Sequence, residues 1–241
     1  MAVDSIAEGN PSLLTHFPNL ETWKTGDSSL PSAFPSQRVK DIISTWCPKL
    51  RCVESNFTPS PLLAHLIVNV FDYLTSLTFD YTEISSNVVL ALLHRPDNWI
   101  DLSTYVSQDD FYSKFEEDGA PEVMDHFQNS RWMVQSILRY CRKLKSFGFQ
   151  DHEMDMDEIE QTPWVCEDLE DLRVRIKGLD TRDMIEGAIN KWRVGRKQRE
   201  LSDIIENLVG QDQSIEARVA RHLLRFKNLN TVWLGSKIWE L

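Results

Sequence analysis

No run of 18 apolar residues occurs in this 241-residue sequence, so no stretch reads as a membrane-spanning helix. The opening MAVDSIAEGNP lacks the basic and apolar regions of a secretory signal, which sets the expectation of an intracellular protein, cytoplasmic or nuclear. Glycine is scarce, with 9 residues, too few for a turn-rich β-barrel. Positive charge is short as well: 26 Lys and Arg stand against 37 Asp and Glu, a net −11. That balance argues against a nucleic-acid partner, whose affinity comes largely from Lys and Arg neutralising phosphates, and against binding an anionic membrane. The four cysteines, Cys47, Cys52, Cys141 and Cys166, form no CxxC pair and are expected as reduced thiols. Gly-rich phosphate loops, GxSxG and HExxH are all missing. The six histidines are scattered, none paired with another at ligand spacing. The expectation is therefore no catalytic site, no cofactor and no metal.

What the chain does contain is one phrase repeated. CRKLKSFGFQ, from Cys141 to Gln150, reads as a helix end, a two-residue turn and a short strand with Leu144, Phe147 and Phe149 facing one way. Its template (apolar or Cys, two variable, apolar, two variable, apolar) recurs seven times, with first anchors at Leu20, Leu50, Leu74, Trp99, Leu144, Leu169 and Leu229. The steps are 30, 24, 25, 45, 25 and 60 residues. Four of the six lie at or near the ~20–29-residue period of leucine-rich repeats. The two long steps are either one unit plus an insertion or conceal a degenerate copy. Apolar pairs such as Leu92-Leu93, Ile137-Leu138 and Leu223-Leu224 precede the anchors, so the unit is helix, turn, strand.

A short strand with one apolar face cannot bury that face alone. Stacking units pairs the strands into a parallel sheet with helices on its other side. The expected fold is α/β: a single irregular leucine-rich-repeat solenoid over 1–241, with parallel strands on the concave face and helices on the convex face. The last strand, ending at Leu234, is expected at the edge of the sheet.

Three stretches interrupt the pattern. Gly26 to Ser36 is rich in Ser and Pro and reads as a surface loop. Asp151 to Glu160, DHEMDMDEIE, reads as a solvated acidic loop; a cation held by Asp151, His152, Asp155 and Asp157 is the alternative, although the stretch lacks the glycine and closing Glu of a calcium loop. Residues 181–212 read as a helical insertion, with Ile185, Ile189 and Trp192 on one face and Ile204, Ile205, Leu208 and Val209 on a second stripe. Between the stripes lie Lys191, Arg193, Arg196, Lys197 and Arg199. This run is expected as the solvated side of the helix, with docking to an acidic partner or to the acidic stretch as the alternative.

Strand alternation assigns the other face of the sheet. It should carry Lys24, Glu54, Ser76, Thr78, Asp101, Ser103, Ser146, Arg173, Arg175 and Trp233, with Gly148 leaving room beside Ser146. These side chains compose no catalytic constellation. Lys24, Glu54, Asp101, Arg173, Arg175 and Trp233 are the candidate partner contacts, an outward Trp being a plausible anchor. The alternative for Trp233 is cover by Ser236 to Leu241. The remaining tryptophans are mostly expected in the core.

The phrases CPKLRCVES, CRKLKSFGF and FPNLETW resemble the Cys/Phe-x-x-Leu-x-x-Leu units of F-box and leucine-rich-repeat proteins. WVCEDLEDLRVRIKGL and SIEARVARHLLRFKNLNTVWLGSKIWEL resemble the C-terminal repeats of the large fungal set of these. The resemblance runs from about Pro11 to Leu241. It implies a solenoid that recruits protein substrates to a cullin–RING ubiquitin ligase, and a separate F-box that binds a Skp-type adaptor. This sequence shows no Leu-Pro-x-Glu opening followed by three helices; Leu30-Pro31 runs instead into SAFPS. The expectation is a repeat region without a recognisable F-box, acting as a non-enzymatic protein-binding module. The alternatives are a structural scaffold unrelated to ubiquitination and a cryptic metal-dependent enzyme.

Overall fold

The computed structural model of the chain describes residues 2–4, 16–25, 41, 44–55, 60–70, 72–80, 85–105, 134–199, 212–234 and 237–240. Among these residues nine strands form one sheet, hydrogen-bonded in the order in which they follow one another along the chain. They are β1 (Ala2–Asp4), β2 (Thr22–Thr25), β3 (Cys52–Ser55), β4 (Ser76–Asp80), β5 (Asp101–Tyr105), β6 (Ser146–Met154), β7 (Asp171–Ile176), β8 (Thr231–Leu234) and β9 (Lys237–Glu240). The first eight are parallel, each to the next, and β9 returns antiparallel on β8. The helices between them are α1 (Ser60–Asn69), α2 (Ser86–Leu93), α3 (134–140), α4 (Met156–Gln161), α5 (Arg182–Arg199) and α6 (Ile215–Leu223). The chain is thus an α/β protein on a parallel sheet, as the repeating phrase indicated.

All seven anchors are buried: Leu20, Leu144, Leu169 and Leu229 at 0 %, Trp99 at 1 %, Leu74 at 2 % and Leu50 at 3 %. Each stands two residues before a strand. One hydrogen-bond pattern joins every pair of neighbours. The two N–H groups after an anchor both donate to the carbonyl just after the preceding anchor: Arg51 and Cys52 to Glu21, Thr75 and Ser76 to Arg51, Ile100 and Asp101 to Thr75. The series continues with Lys145 and Ser146 to Ile100, Glu170 and Asp171 to Lys145, and Asn230 and Thr231 to Glu170, at 2.7–3.1 Å. It crosses both long steps without a break. β5 pairs directly with β6 and β7 with β8, so no further strand of this sheet lies between the members of either pair.

Core residues come from one parity of β2 to β8, with Met154 joining past the register shift in β6, and they merge with the inward sides of the helices in a single cluster. The Cys or Phe three residues before an anchor closes the turn, its carbonyl accepting the anchor N–H (Phe17 to Leu20 and Cys47 to Leu50, both 3.0 Å; Cys141 to Leu144, 3.4 Å; Cys166 to Leu169, 3.3 Å). All four cysteines are free thiols. Burial pushes Cys141 and Cys166 up to about 12, so they act as small apolar side chains rather than nucleophiles. Phe79 of β4 and Phe149 of β6 meet edge to face at 5.8 Å. Their approach is possible because β5 puts the smaller Thr104 in that row, its hydroxyl donating to the Gly148 carbonyl at 3.1 Å. Trp23, Trp99, Trp164 and Trp192 are core, but Trp46 is 46 % exposed, because it precedes Cys47 at the helix end and faces away from the sheet.

The acidic stretch is not a loop. β6 continues through it to Met154, with a shift of register between Phe149 and Glu153, and α4 follows at once. Met154, Met156 and Ile159 are buried at 0–2 %, which draws the backbone into regular structure although acids surround them. Asp155 caps α4 by accepting from the Asp157 N–H at 2.9 Å, and Asp157 and Glu158 lie where the helix dipole favours negative charge. Arg218 on α6 neutralises the stretch by pairing with Asp157 and Glu160, and Lys177 pairs with Asp155 at 3.3 Å.

Within the insertion, Ile185, Ile189 and Trp192 are buried on α5 as the periodicity requires. Ile204, Ile205, Leu208 and Val209 lie outside the described residues, as does the stretch 26–36. The basic run does not meet the acidic stretch in the described contacts. Lys191 donates to Asp212 at 2.7 Å and to Ser214 at 3.0 Å, and Arg196 donates to the Leu229 carbonyl. α5 is thereby tied to the start of α6 and to the last anchor. Gly178, at φ +84°, makes the turn from β7 towards α5, a conformation glycine adopts without the strain a Cβ brings.

Candidate functional site

The outward residues of β2 to β8 form two rows across the strands. One runs Lys24, Glu54, Thr78, Ser103, Gly148, Arg173 and Trp233; the other runs Thr22, Cys52, Ser76, Asp101, Ser146, Asp171 and Thr231. Of their inward neighbours, Val53, Leu77, Leu102, Phe147, Leu172 and Val232 are 0 % exposed and Trp23 is 7 % exposed. The face carrying the two rows is therefore the one turned away from the helices.

Four of the six sequence candidates, Lys24, Glu54, Arg173 and Trp233, share the first row, and Asp101 lies in the second. They do not form one cluster. Lys24 and Glu54 are joined at 2.7 Å on β2 and β3, while Arg173 and Trp233 are on β7 and β8, with three strands between the pairs. Arg175 is exposed one step further along β7, opposite Glu153, where the β6–β7 register has shifted. At the β8 end, Arg173 Nη2 donates to Asp171 Oδ2 at 2.7 Å, and Arg173 Nε donates to the same oxygen at 3.0 Å. Its guanidinium carbon lies 5.9 Å from the centre of the Trp233 ring, within cation–π range. Trp233 Nε1 is shielded from solvent and has no hydrogen-bond partner. β9 pairs with β8, placing Ile238 opposite Trp233, so β8 is not the edge strand that the sequence suggested.

Asp101 is the other distinctive group. Ser76 Oγ donates to its Oδ2 at 3.1 Å, while Oδ1 has no hydrogen-bond partner. Desolvation raises its carboxyl above the ordinary value, an effect that Ser146 and Ser76 partly offset. Beside it, the Thr78 and Ser103 hydroxyls are 3.0 Å apart. Applying the two-residue offset from each anchor to every copy would also have placed Thr22, Cys52, Asp171 and Thr231 on this face, which the alternation as read from the sequence left out. Asp171 matters most among them, because it engages Arg173.

On the helix side, His222 is buried against Trp164, ring centres 4.5 Å apart, and both His222 Nε2 and Trp164 Nε1 lack partners. They line a small, otherwise apolar void with Met156, Ile159, Leu172 and Val219. Burial pulls the His222 imidazole down to about 3, so it is neutral at physiological pH. Among the described residues no three His, Cys, Asp or Glu side chains come together as a metal site. The Asp151 and His152 side chains lie outside the description, while Asp155 and Asp157 serve the cap and ion pairs given above. No helix among the described residues is long and apolar enough to cross a membrane.

No family model, no curated protein and no solved structure matches this chain.

Proposed function

We propose that this chain is a non-enzymatic protein-binding module, an irregular leucine-rich-repeat solenoid whose helix-free, concave face recognises a protein partner. The observation that carries the reading is the composition of that face. Seven strands present two continuous rows of side chains that hold charge pairs, hydroxyls and one partly exposed Trp. Such a surface offers hydrogen bonds and an aromatic anchor, the chemistry of protein recognition. The likeness of the repeat phrases to F-box and leucine-rich-repeat proteins makes substrate selection for ubiquitination the setting of choice, in an intracellular compartment, with a Skp-type adaptor and cullin as further partners if an F-box exists elsewhere. The experiment is affinity capture from lysate with the wild type and the Arg173→Ala/Trp233→Ala double variant, matched by circular dichroism. Partners lost from the double variant support the reading; the same partners on both overturn the face assignment.

A scaffold role in a stable assembly is the second reading. Leu90 and Tyr140, 62 % and 60 % exposed on the helix side, are the apolar side chains such a contact would cover. Stoichiometric co-purification in a complex lacking any cullin, with contacts mapped to those residues, is its signature.

A further inference from the structure

The middle of the helix-free face is a trough. Ser76, Thr78, Asp101, Ser103, Ser146 and Gly148 are the outward residues of β4, β5 and β6, and all but Asp101 end at or before Cγ. At one side stand Lys24 and Glu54, already joined; at the other stand Arg173 and Trp233, with Arg173 held by Asp171. Three neighbouring strands span roughly 10 Å between their outer axes, the width of one side chain with its flanking backbone. Gly148 keeps the floor low: a Cβ there would lie 3.2 Å from Ser103 Cβ and 3.7 Å from Arg173 Cδ.

Asp101 is the one titratable group on that floor. Ser76 donates to its Oδ2, Ser146 lies close enough to favour its charge, Oδ1 is shielded from solvent, and no salt bridge among the described residues reaches it. The nearest cation in the rows, Arg173, lies two strands away and is committed to Asp171. A carboxylate held without its counter-ion is a cost to the fold. It becomes an asset when a partner supplies the charge, because the desolvation has already been met before binding. The chain's net charge of −11 steers cationic partners towards it.

Resting on the reading of this face as a protein-binding surface, we propose that the trough takes a lysine or arginine side chain of the partner, with its cation against Asp101. The aliphatic stem lies along Thr78, Ser103 and Gly148. The charged end donates to the Asp101 carboxylate once a rotation about the soft χ2 torsion turns Oδ1, shielded from solvent in this structure, into the trough. The Ser76 and Ser146 hydroxyls accept its remaining N–H groups. The occupant is a protein side chain rather than a free amine, since the flanking Glu54 and Trp233 lie in the same row and offer the main chain around it further contacts.

The test selects phage-displayed random heptapeptides on the full chain. The selected peptides are then measured against the wild type, Asp101→Asn and Ser103→Tyr, the last of which fills the trough. The expected result is enrichment of peptides with Lys or Arg at one fixed position. Changing that lysine to norleucine, which keeps the stem and drops the charge, should weaken binding to the wild type about tenfold or more, the worth of a charge-assisted bond. The same change should leave binding to Asp101→Asn unaltered. Since norleucine is placed in the peptide, a folding defect in a variant cannot produce the first result. Peptides that bind Ser103→Tyr as tightly as the wild type would overturn both this inference and the face assignment. Peptides blocked by Ser103→Tyr but indifferent to norleucine, or enriched without any basic position, would overturn the cation alone. Failure to enrich any peptide would count against both.

Discussion

The Asn230 N–H donates to the Glu170 carbonyl at 2.8 Å across a sequence separation of 60 residues. The same bond joins Ile100 to Thr75, only 25 residues apart, also at 2.8 Å. A repeating unit can therefore absorb a long insertion without losing its junction, because the junction is made by the turn residues around the anchor and not by the helix between them. The loop-closure cost of the added residues grows only logarithmically with their number.

Anchor burial should dominate stability. Leu169→Ala removes a fully buried side chain, the sixth of the seven anchors, and a loss of about 2–5 kcal/mol is expected. Chemical denaturation should report it as a lower midpoint. Arg173→Ala, at an exposed pair, should cost no more than about 1 kcal/mol. A similar loss for both would mean that the row of leucines is not the core it is taken to be.

Gly178→Ala isolates backbone strain. A Cβ at this position has room, its nearest neighbour being Ile215 Cγ1 at 3.8 Å, yet φ is +84°. The expected loss is about 1 kcal/mol, seen as a lower Tm with unchanged circular dichroism.

Stability should fall with acid through His222. Its folded-state value of about 3 lies below the ordinary 6.5, so between those values the unfolded chain binds the proton and the folded chain does not. The neutral imidazole's contribution is complete above 6.5 and is lost as pH falls, by about 2 kcal/mol at pH 5. His222→Phe should flatten the stability curve between pH 7 and 5 relative to the wild type, whatever its stability at pH 7. Parallel curves for the two proteins would contradict the assignment.

Asp101 should behave in the opposite sense. Desolvation raises its carboxyl, so the folded state holds the proton more tightly and this group's penalty grows as pH rises through the folded-state value. Asp101→Asn should raise the Tm at pH 7 relative to the wild type, and the gain should shrink as the buffer is taken towards pH 3. A loss of stability at pH 7 would mean that the carboxylate contributes more to the fold, through Ser76 and Ser146, than its desolvation costs.

Much of this architecture can be read from the leucines. Each anchor is apolar, each lies a fixed two residues before its strand, and burial leaves little choice at either position. The outward rows were legible for the same reason, since alternation follows once the inward residues are known. What escaped was unanchored or mixed in character. β1 and β9 have no anchor phrase two residues ahead of them, the signal by which β2 to β8 were read. The stretch from Asp151 to Glu160 hid its structure because Met154, Met156 and Ile159 are few among acids, and an Asp serving as a helix cap looks in sequence like any loop acid. Charge pairing across the face was also hidden: the link between Arg173 and Asp171 depends on rotamers, and the gap beside Asp101 on how far its neighbours reach.

The claim that the helix-free face is where a partner binds is tested most directly by photo-crosslinking. A photoreactive residue replaces exposed Arg175 on that face or exposed Leu90 on α2, and each protein is irradiated with its captured partner. Adducts from position 175 and none from position 90 are predicted; adducts from position 90 alone would contradict the account.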